Sequence, residues 1–82
     1  MFRILTENRN TGAIKRLLRD LGLDYTVYYC EGSWRGQAEK SMLIELDATT
    51  EQRAERVARL IKKSNLQQAV LLQEIPGKTR LI

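Results

Sequence analysis

Trp34-Arg35-Gly36 puts an indole, a guanidinium and a flexible backbone side by side. That combination suits ligand binding more than bond making. An indole stacks on a nucleobase, and a guanidinium grips a phosphate through two parallel hydrogen bonds. Tyr28, Tyr29 and Glu31 lie just upstream, and Glu31 can accept from a base amine or a sugar hydroxyl. The same residues have a packing account, in which Trp34 covers the sheet or a neighbouring subunit and Arg35 pairs with Glu31 or Glu39. Arg9, before Asn10-Thr11, marks a second anion-friendly place, because free amides at a helix N-terminus attract phosphate. Simple helix capping also accounts for Asn10 and Thr11. Lys78 and Arg80 form a third cationic pair near the end, in reach of a neighbouring copy's hairpin if chains assemble.

The residues for conventional catalysis are missing. The chain has no histidine and one cysteine, Cys30. No Ser/His/Asp or Cys/His set can therefore form, and no zinc site of Cys and His ligands. Cys30, lacking a base, reads as a small buried hydrophobe. Glu31, Glu39 and Glu45 carry no signature of an acid/base pair, and no glycine-rich phosphate loop opens a helix. The expectation is a protein that is not an enzyme and carries no cofactor or metal.

The elements that must position these residues follow from apolar spacing. Phe2–Glu7 reads as a strand. Ala13, Ile14, Leu17, Leu18 and Leu21 recur at three- and four-residue steps, one stripe of a helix, with Gly22 suited to the left-handed residue that closes it. Tyr25–Cys30 and Ser41–Leu46 read as two strands joined by the connection Glu31–Lys40. Thr49 to Gln52 fits a capping box ahead of a second helix with Ala54, Val57, Ala58 and Ile61 inward. Ser64-Asn65 ends it. Gln68–Ile75 reads as a fourth strand, Pro76-Gly77 as a turn, and the tail permits one more strand, placed between subunits. Residues 1–82 are expected to form one domain. The order strand, helix, strand, strand, helix, strand predicts an α+β, ferredoxin-like antiparallel sheet with two helices on one face and a long hairpin between its second and third strands.

Alternation divides each strand between two faces. Phe2, Ile4, Val27, Tyr29, Met42, Ile44 and Leu46 form one set. Leu5, Thr26, Tyr28, Cys30 and Leu43 form the other. Val70 and Leu72 share a face, as do Ala69, Leu71 and Ile75. Two helices cover only one face, and soluble monomers seldom expose a large apolar patch. A domain this small is also often marginal alone. A homo-oligomer is therefore expected, a trimer being one form.

The net charge of +4 favours anionic partners, although the basic residues look scattered among acids. No long apolar segment or signal-peptide pattern is evident, so a cytoplasmic protein without membrane contact is expected.

The layout resembles the PII and CutA-type trimers, small ferredoxin-like proteins with a projecting loop between the second and third strands, here Gly32 to Gln37. PII relatives bind nucleotides between subunits. Glu31-Gly-Ser-Trp-Arg-Gly, Glu39-Lys-Ser and Gln68-Ala-Val-Leu also resemble small proteins of phages and mobile elements, some of which sequester nucleotide signals. The residues, the two apolar sheet faces and the resemblance together give the expectation of a non-catalytic homo-oligomer that binds a small anionic ligand, a nucleotide or nucleotide signal. Trp34 would stack, Arg35 with Arg9 or Arg80 would hold phosphate, and Glu31, Tyr28 and Tyr29 would assist. The alternatives are a single-stranded nucleic-acid-binding module and a protein-interaction or inhibitor module using the hairpin as a wedge.

Overall fold

A computed structural model describes residues 1–76 and 79–82, the side chains of Trp34, Thr79, Arg80 and Leu81 excepted. The order is β1 (Phe2–Glu7), α1 (Thr11–Asp20), β2 (Asp24–Trp34), β3 (Gln37–Asp47), α2 (Glu51–Asn65), β4 (Leu71–Glu74) and β5 (Thr79–Leu81). The strands form one sheet in the order β2-β3-β1-β4-β5, with every pair antiparallel. The first four strands make the ferredoxin-like arrangement. Strands joined through a helix do not pair with each other, in contrast to the parallel pairing that a strand–helix–strand unit suggests; β3 inserts between β1 and β2, and β1 separates β3 from β4.

The helices form where the apolar spacing requires. Ile14 and Leu18 of α1, and Ala54, Val57, Ala58 and Ile61 of α2, are buried in one core with Phe2, Ile4, Met42, Ile44, Leu46 and Leu72 of the sheet and Val70 just before β4. Ala13 is exposed, so the α1 stripe is narrower than its spacing suggests. Gly22, at φ 68°, supplies the left-handed residue after α1.

The other caps differ from expectation. Asn10 is itself left-handed, at φ 56°, and its side chain does not cap α1. It donates instead to Asn65 Oδ1 at 3.0 Å. The cap of α2 is Thr50, whose hydroxyl accepts from the Arg53 amide at 3.2 Å, whereas the Thr49 hydroxyl is buried without a partner among the described residues. α2 runs through Ser64 and Asn65 and closes at Leu66, left-handed at φ 54°.

The tail also departs from its reading. β5 pairs with its own β4, Leu71 opposite Leu81, and the Val70 and Ile82 backbones exchange hydrogen bonds of 3.0 and 2.8 Å. The tail ladder of the described residues is thus formed within one chain. Gly77 and Lys78 of the expected turn and cationic pair lie outside the described residues.

Eight of the fourteen basic residues sit on the two helices, with three of the ten acids. The positive surplus thus belongs to the helical layer and is not scattered. The open side of the sheet and the hairpin carry none of it.

Candidate functional site

The hairpin is longer and more regular than its sequence indicates. β2 and β3 pair without interruption from Asp24↔Asp47 to Trp34↔Gln37. Only Arg35 and Gly36 remain for the turn, with φ 52° and 77°. Two successive left-handed residues make the primed turn whose twist matches the flanking strands. The stretch Glu31–Lys40 is therefore mostly ladder, not connection, and Glu31 lies opposite Lys40.

This projecting hairpin forms one wall of a cleft of about 550 Å³. Gly32, Glu39 and Ser41 line it from the hairpin, Glu7 from the end of β1, and Gln67 and Leu71 from the segment after α2 and from β4. Gly32 makes a close approach to the Ser41 side chain. A β-carbon there would lie 2.8 Å from Ser41 Oγ, inside van der Waals contact. The opposite wall is held by hydrogen bonds. Gln67 Oε1 accepts from Thr6 Oγ1 and from Asn65 Nδ2 at 2.8 Å, while Gln67 Nε2 donates to the Ala69 carbonyl at 3.2 Å. Leu66 stands at the rim, 88% exposed.

The cleft continues onto the uncovered face of the sheet. Register places Tyr28, Leu43, Leu5 and Leu71 in one row across β2, β3, β1 and β4. Leu5 and Leu71 line both the cleft and a shallower hollow of about 270 Å³ that also touches Arg3, Cys30, Leu43 and Gln73. In the next row, Arg3 Nε donates to Glu45 at 2.9 Å. The Tyr28 hydroxyl donates to the same carboxylate, which raises the tyrosine's pKa. Hydrogen bonds from Tyr28 first and Arg3 second hold the Glu45 carboxyl below its ordinary value. Cys30 is exposed on this face, not buried, because no helix covers it.

The residues singled out in the sequence occupy several places. Tyr28 is on the open face. Tyr29 and Glu31, one and three residues on, fall on the other face by alternation. Tyr29 is 55% exposed, with Lys15 Nζ 5.5 Å from its ring centroid, and it is the main cause of the raised Lys15 pKa. Arg35 is exposed at the turn. Trp34 closes the ladder opposite Gln37, and its side chain lies outside the described residues. Arg9 pairs with Glu7 and donates to the Asn65 carbonyl at 3.0 Å, so its guanidinium serves the end of α2. Arg80 sits opposite Leu72 on β5, with its side chain likewise outside the description. β5 and β2 are the two edges of the sheet, roughly 19 Å apart at ordinary strand spacing. One chain therefore does not bring all these residues together.

Arg3, Glu45, Ser41, Gln67 and Asn65 were not anticipated. For Arg3 and Glu45 a signal existed: both are charged at alternating positions of apolar strands. Among the described residues no group of three His, Cys, Asp or Glu could hold a metal ion, and no helix is long and apolar enough to cross a membrane.

No family model matches the sequence, and no curated protein matches it. Solved structures do match the fold. A phage SAM (S-adenosylmethionine) lyase in its apo state is similar with a TM-score of 0.71 and 17% identity, over 99% of this chain and 86% of the lyase. A phage SAM lyase in complex with S-methyl-5′-thioadenosine is similar with a TM-score of 0.61 and 14% identity, over the same shares of 99% and 86%. A functionally unknown protein from Pediococcus pentosaceus ATCC 25745 gives a TM-score of 0.57 and 15% identity, over 96% and 92%. The phage neighbours agree with the likeness to phage proteins and leave that to PII and CutA proteins without support. They overturn the expectation of a non-catalytic protein that is not an enzyme, since the fold that this chain shares is one on which a lyase is built. They lend nothing to a nucleic-acid or protein-inhibitor module.

Proposed function

We propose that this chain is an enzyme that cleaves S-adenosylmethionine and releases S-methyl-5′-thioadenosine, using the cleft beside the hairpin. The observation that carries this reading is the fold correspondence with a phage SAM lyase, at a TM-score of 0.71 over 99% of the chain. Fold alone does not fix function, so the cleft must suit the substrate as well.

Three properties support that fit. Its volume of about 550 Å³ lies within the range of small-molecule sites. Leu5 and Leu71 offer apolar surface for a purine, and Ser41 and Gln67 offer polar groups for its edges and for the ribose. Glu7 and Glu39 offset positive charge, with Glu39 foremost because Glu7 is shared with Arg9. The substrate is a sulfonium cation, not the anion expected from net charge, and the cleft lies away from the basic helical layer.

The chemistry needs little from the protein. The sulfonium is a built-in leaving group. Breaking its bond to the four-carbon amino acid chain sends the electron pair to sulfur and frees neutral S-methyl-5′-thioadenosine. A lyase adds no water, so the carbon left behind is attacked by the substrate's own carboxylate, closing a lactone. No proton leaves the substrate. The missing histidine, which argued against an enzyme, is then no obstacle. The protein's part is to fold the substrate into the attacking conformation and to exclude water.

The reading includes assembly. Tyr28, Leu43, Leu5 and Leu71 form an apolar row that a second copy covers, with Tyr28 at the seam. Trp34 and Arg35 at the hairpin tip, with Arg80 from the far edge of a neighbour, complete the site across that seam.

The test is incubation of the purified chain with S-adenosylmethionine, followed by mass spectrometry. S-methyl-5′-thioadenosine and a homoserine lactone are expected in equal amounts. Absence of both, together with no calorimetric heat on adding S-methyl-5′-thioadenosine, overturns the proposal.

A further inference from the structure

The geometry points to Asn65 as a positioning residue that sets ligand affinity by fixing the side chain of Gln67, an inference that rests on reading the cleft as the ligand site. Asn65 is the last residue of α2 and is 1% exposed. The helix does not need an amide there to stop, because the left-handed residue that closes it is Leu66. A buried amide is costly unless its groups are paired, and these are paired across the fold. Asn65 Oδ1 accepts from Asn10 Nδ2 at 3.0 Å, its Nδ2 donates to Gln67 Oε1 at 2.8 Å, and its carbonyl accepts from Arg9 at 3.0 Å. One residue thereby ties the start of α1, the end of α2 and the cleft wall together.

The pairing settles how Gln67 is turned. Its Oε1 faces two donors, Thr6 Oγ1 and Asn65 Nδ2. Its Nε2 therefore points the other way and donates to the Ala69 carbonyl. An amide nitrogen carries two hydrogens, and one is used by Ala69. The second is the donor that Gln67, as a lining residue of the cleft, offers to an acceptor on the purine or ribose. Asn65 never touches the ligand. It denies Gln67 the flipped orientation, which would turn an acceptor towards the ligand in place of that donor.

The experiment compares the wild type with Asn65→Asp, Gln67→Ala, their double variant and Thr6→Val. Asn65→Asp keeps the acceptor for Asn10 but loses the donor to Gln67. Thr6→Val removes the second donor without burying a charge, and serves if the aspartate variant fails to fold. Calorimetry with S-methyl-5′-thioadenosine should show affinity falling about tenfold in Asn65→Asp and in Gln67→Ala, the worth of one hydrogen bond. With S-adenosylmethionine, KM should rise while kcat stays within about twofold. The double variant should bind no worse than Gln67→Ala, because both act through one group. Amide exchange at Leu66–Val70 should quicken in Asn65→Asp and Thr6→Val without any ligand. Unchanged affinity in the two variants that loosen the loop would make Asn65 structural only and overturn the inference, as would additive losses in the double variant. If the wild type binds no S-methyl-5′-thioadenosine, the reading of the cleft falls, and this inference falls with it.

Discussion

Arg3 and Glu45 face each other across β1 and β3 on the uncovered side of the sheet, with Arg3 Nε 2.9 Å from the carboxylate. Tyr28 donates to the same carboxylate from β2. A polar cluster of three strands thus sits beside the apolar row of Leu43, Leu5 and Leu71. Arg3 lines the hollow beneath that row, so the cluster borders both the proposed seam and the candidate site.

The cluster makes acid stability depend on Glu45. Its folded pKa lies below the ordinary carboxyl value of 4.5, through Tyr28 first and Arg3 second. The stabilisation is therefore complete above that value and is lost as pH falls through the lower, folded pKa. Glu45→Gln should remove this component. Urea unfolding at neutral pH and at successively lower pH should show a flatter acid limb than the wild type. Tyr28→Phe should shift the carboxyl titration, followed by NMR, back towards 4.5. Tyr28 itself has a raised pKa, so its contribution is complete below the ordinary phenol value of 10.0 and is lost as pH rises through the folded one. An acid limb identical in Glu45→Gln and wild type would show that the contact contributes nothing in solution.

Leu43 tests the proposed seam between copies. It is half-buried on the open face, between Tyr28 and Leu5. Leu43→Asp adds a charge where no helix packs, so a single chain should keep its fold. Light scattering should show the assembly dissociating at concentrations at least about tenfold above those that dissociate the wild type, the effect of an unpaired charge in an interface. Circular dichroism should remain that of the folded chain. A mass equal to one chain in the wild type would remove the seam.

The turn is the easiest place to separate folding from binding. Arg35 and Gly36 both have positive φ, and Asn-Gly is the preferred pair for such a turn. Arg35→Asn should leave stability unchanged or raise it by about 0.5 kcal/mol, whereas Gly36→Ala should lower it by about 1 kcal/mol. If Arg35 contacts the ligand from a neighbouring copy, Arg35→Asn weakens S-methyl-5′-thioadenosine binding in a protein of full stability. Equal binding by both proteins would confine Arg35 to the turn.

These effects also explain what could be read from the sequence. The helical stripes and the split of the strands were legible because burial follows apolar period directly. Ile14, Leu18, Val57 and Ile61 fall inward as spaced, and Tyr28 and Leu43 share the open face as alternation requires. The hairpin tip was not legible. Glu31 to Lys40 mixes glycines and charged residues with a lone tryptophan and alanine, so no apolar alternation marks it, yet backbone pairing carries the ladder to Trp34. The α2 cap was displaced by one residue because Thr49 and Thr50 offer the same hydroxyl. Asn65 read as a helix stop because its partners, Asn10 and Arg9, are more than fifty residues away in sequence. On the proposed lyase reading, the lack of a catalytic signature has a chemical reason: a substrate with its own leaving group and nucleophile asks for none.

Gly32 and Ser41 should show that the cleft's shape is set by one close approach. A β-carbon at residue 32 would sit 2.8 Å from Ser41 Oγ and 3.8 Å from Ser41 Cβ. Only the hydroxyl is in the way, and Ser41 is buried, so it has little room to turn. Gly32→Ala should therefore cost about 1–2 kcal/mol in urea unfolding, the usual cost of overpacking. Ser41→Ala removes the offending oxygen. Its double variant with Gly32→Ala should recover most of the loss, giving a coupling of about 1 kcal/mol between directly touching residues. Because both residues line the cleft, the stability-restored double variant still narrows it by a methyl group and loses a hydroxyl. Its affinity for S-methyl-5′-thioadenosine should remain below that of the wild type. Full recovery of stability and affinity together would mean that the ligand does not reach this end of the cleft.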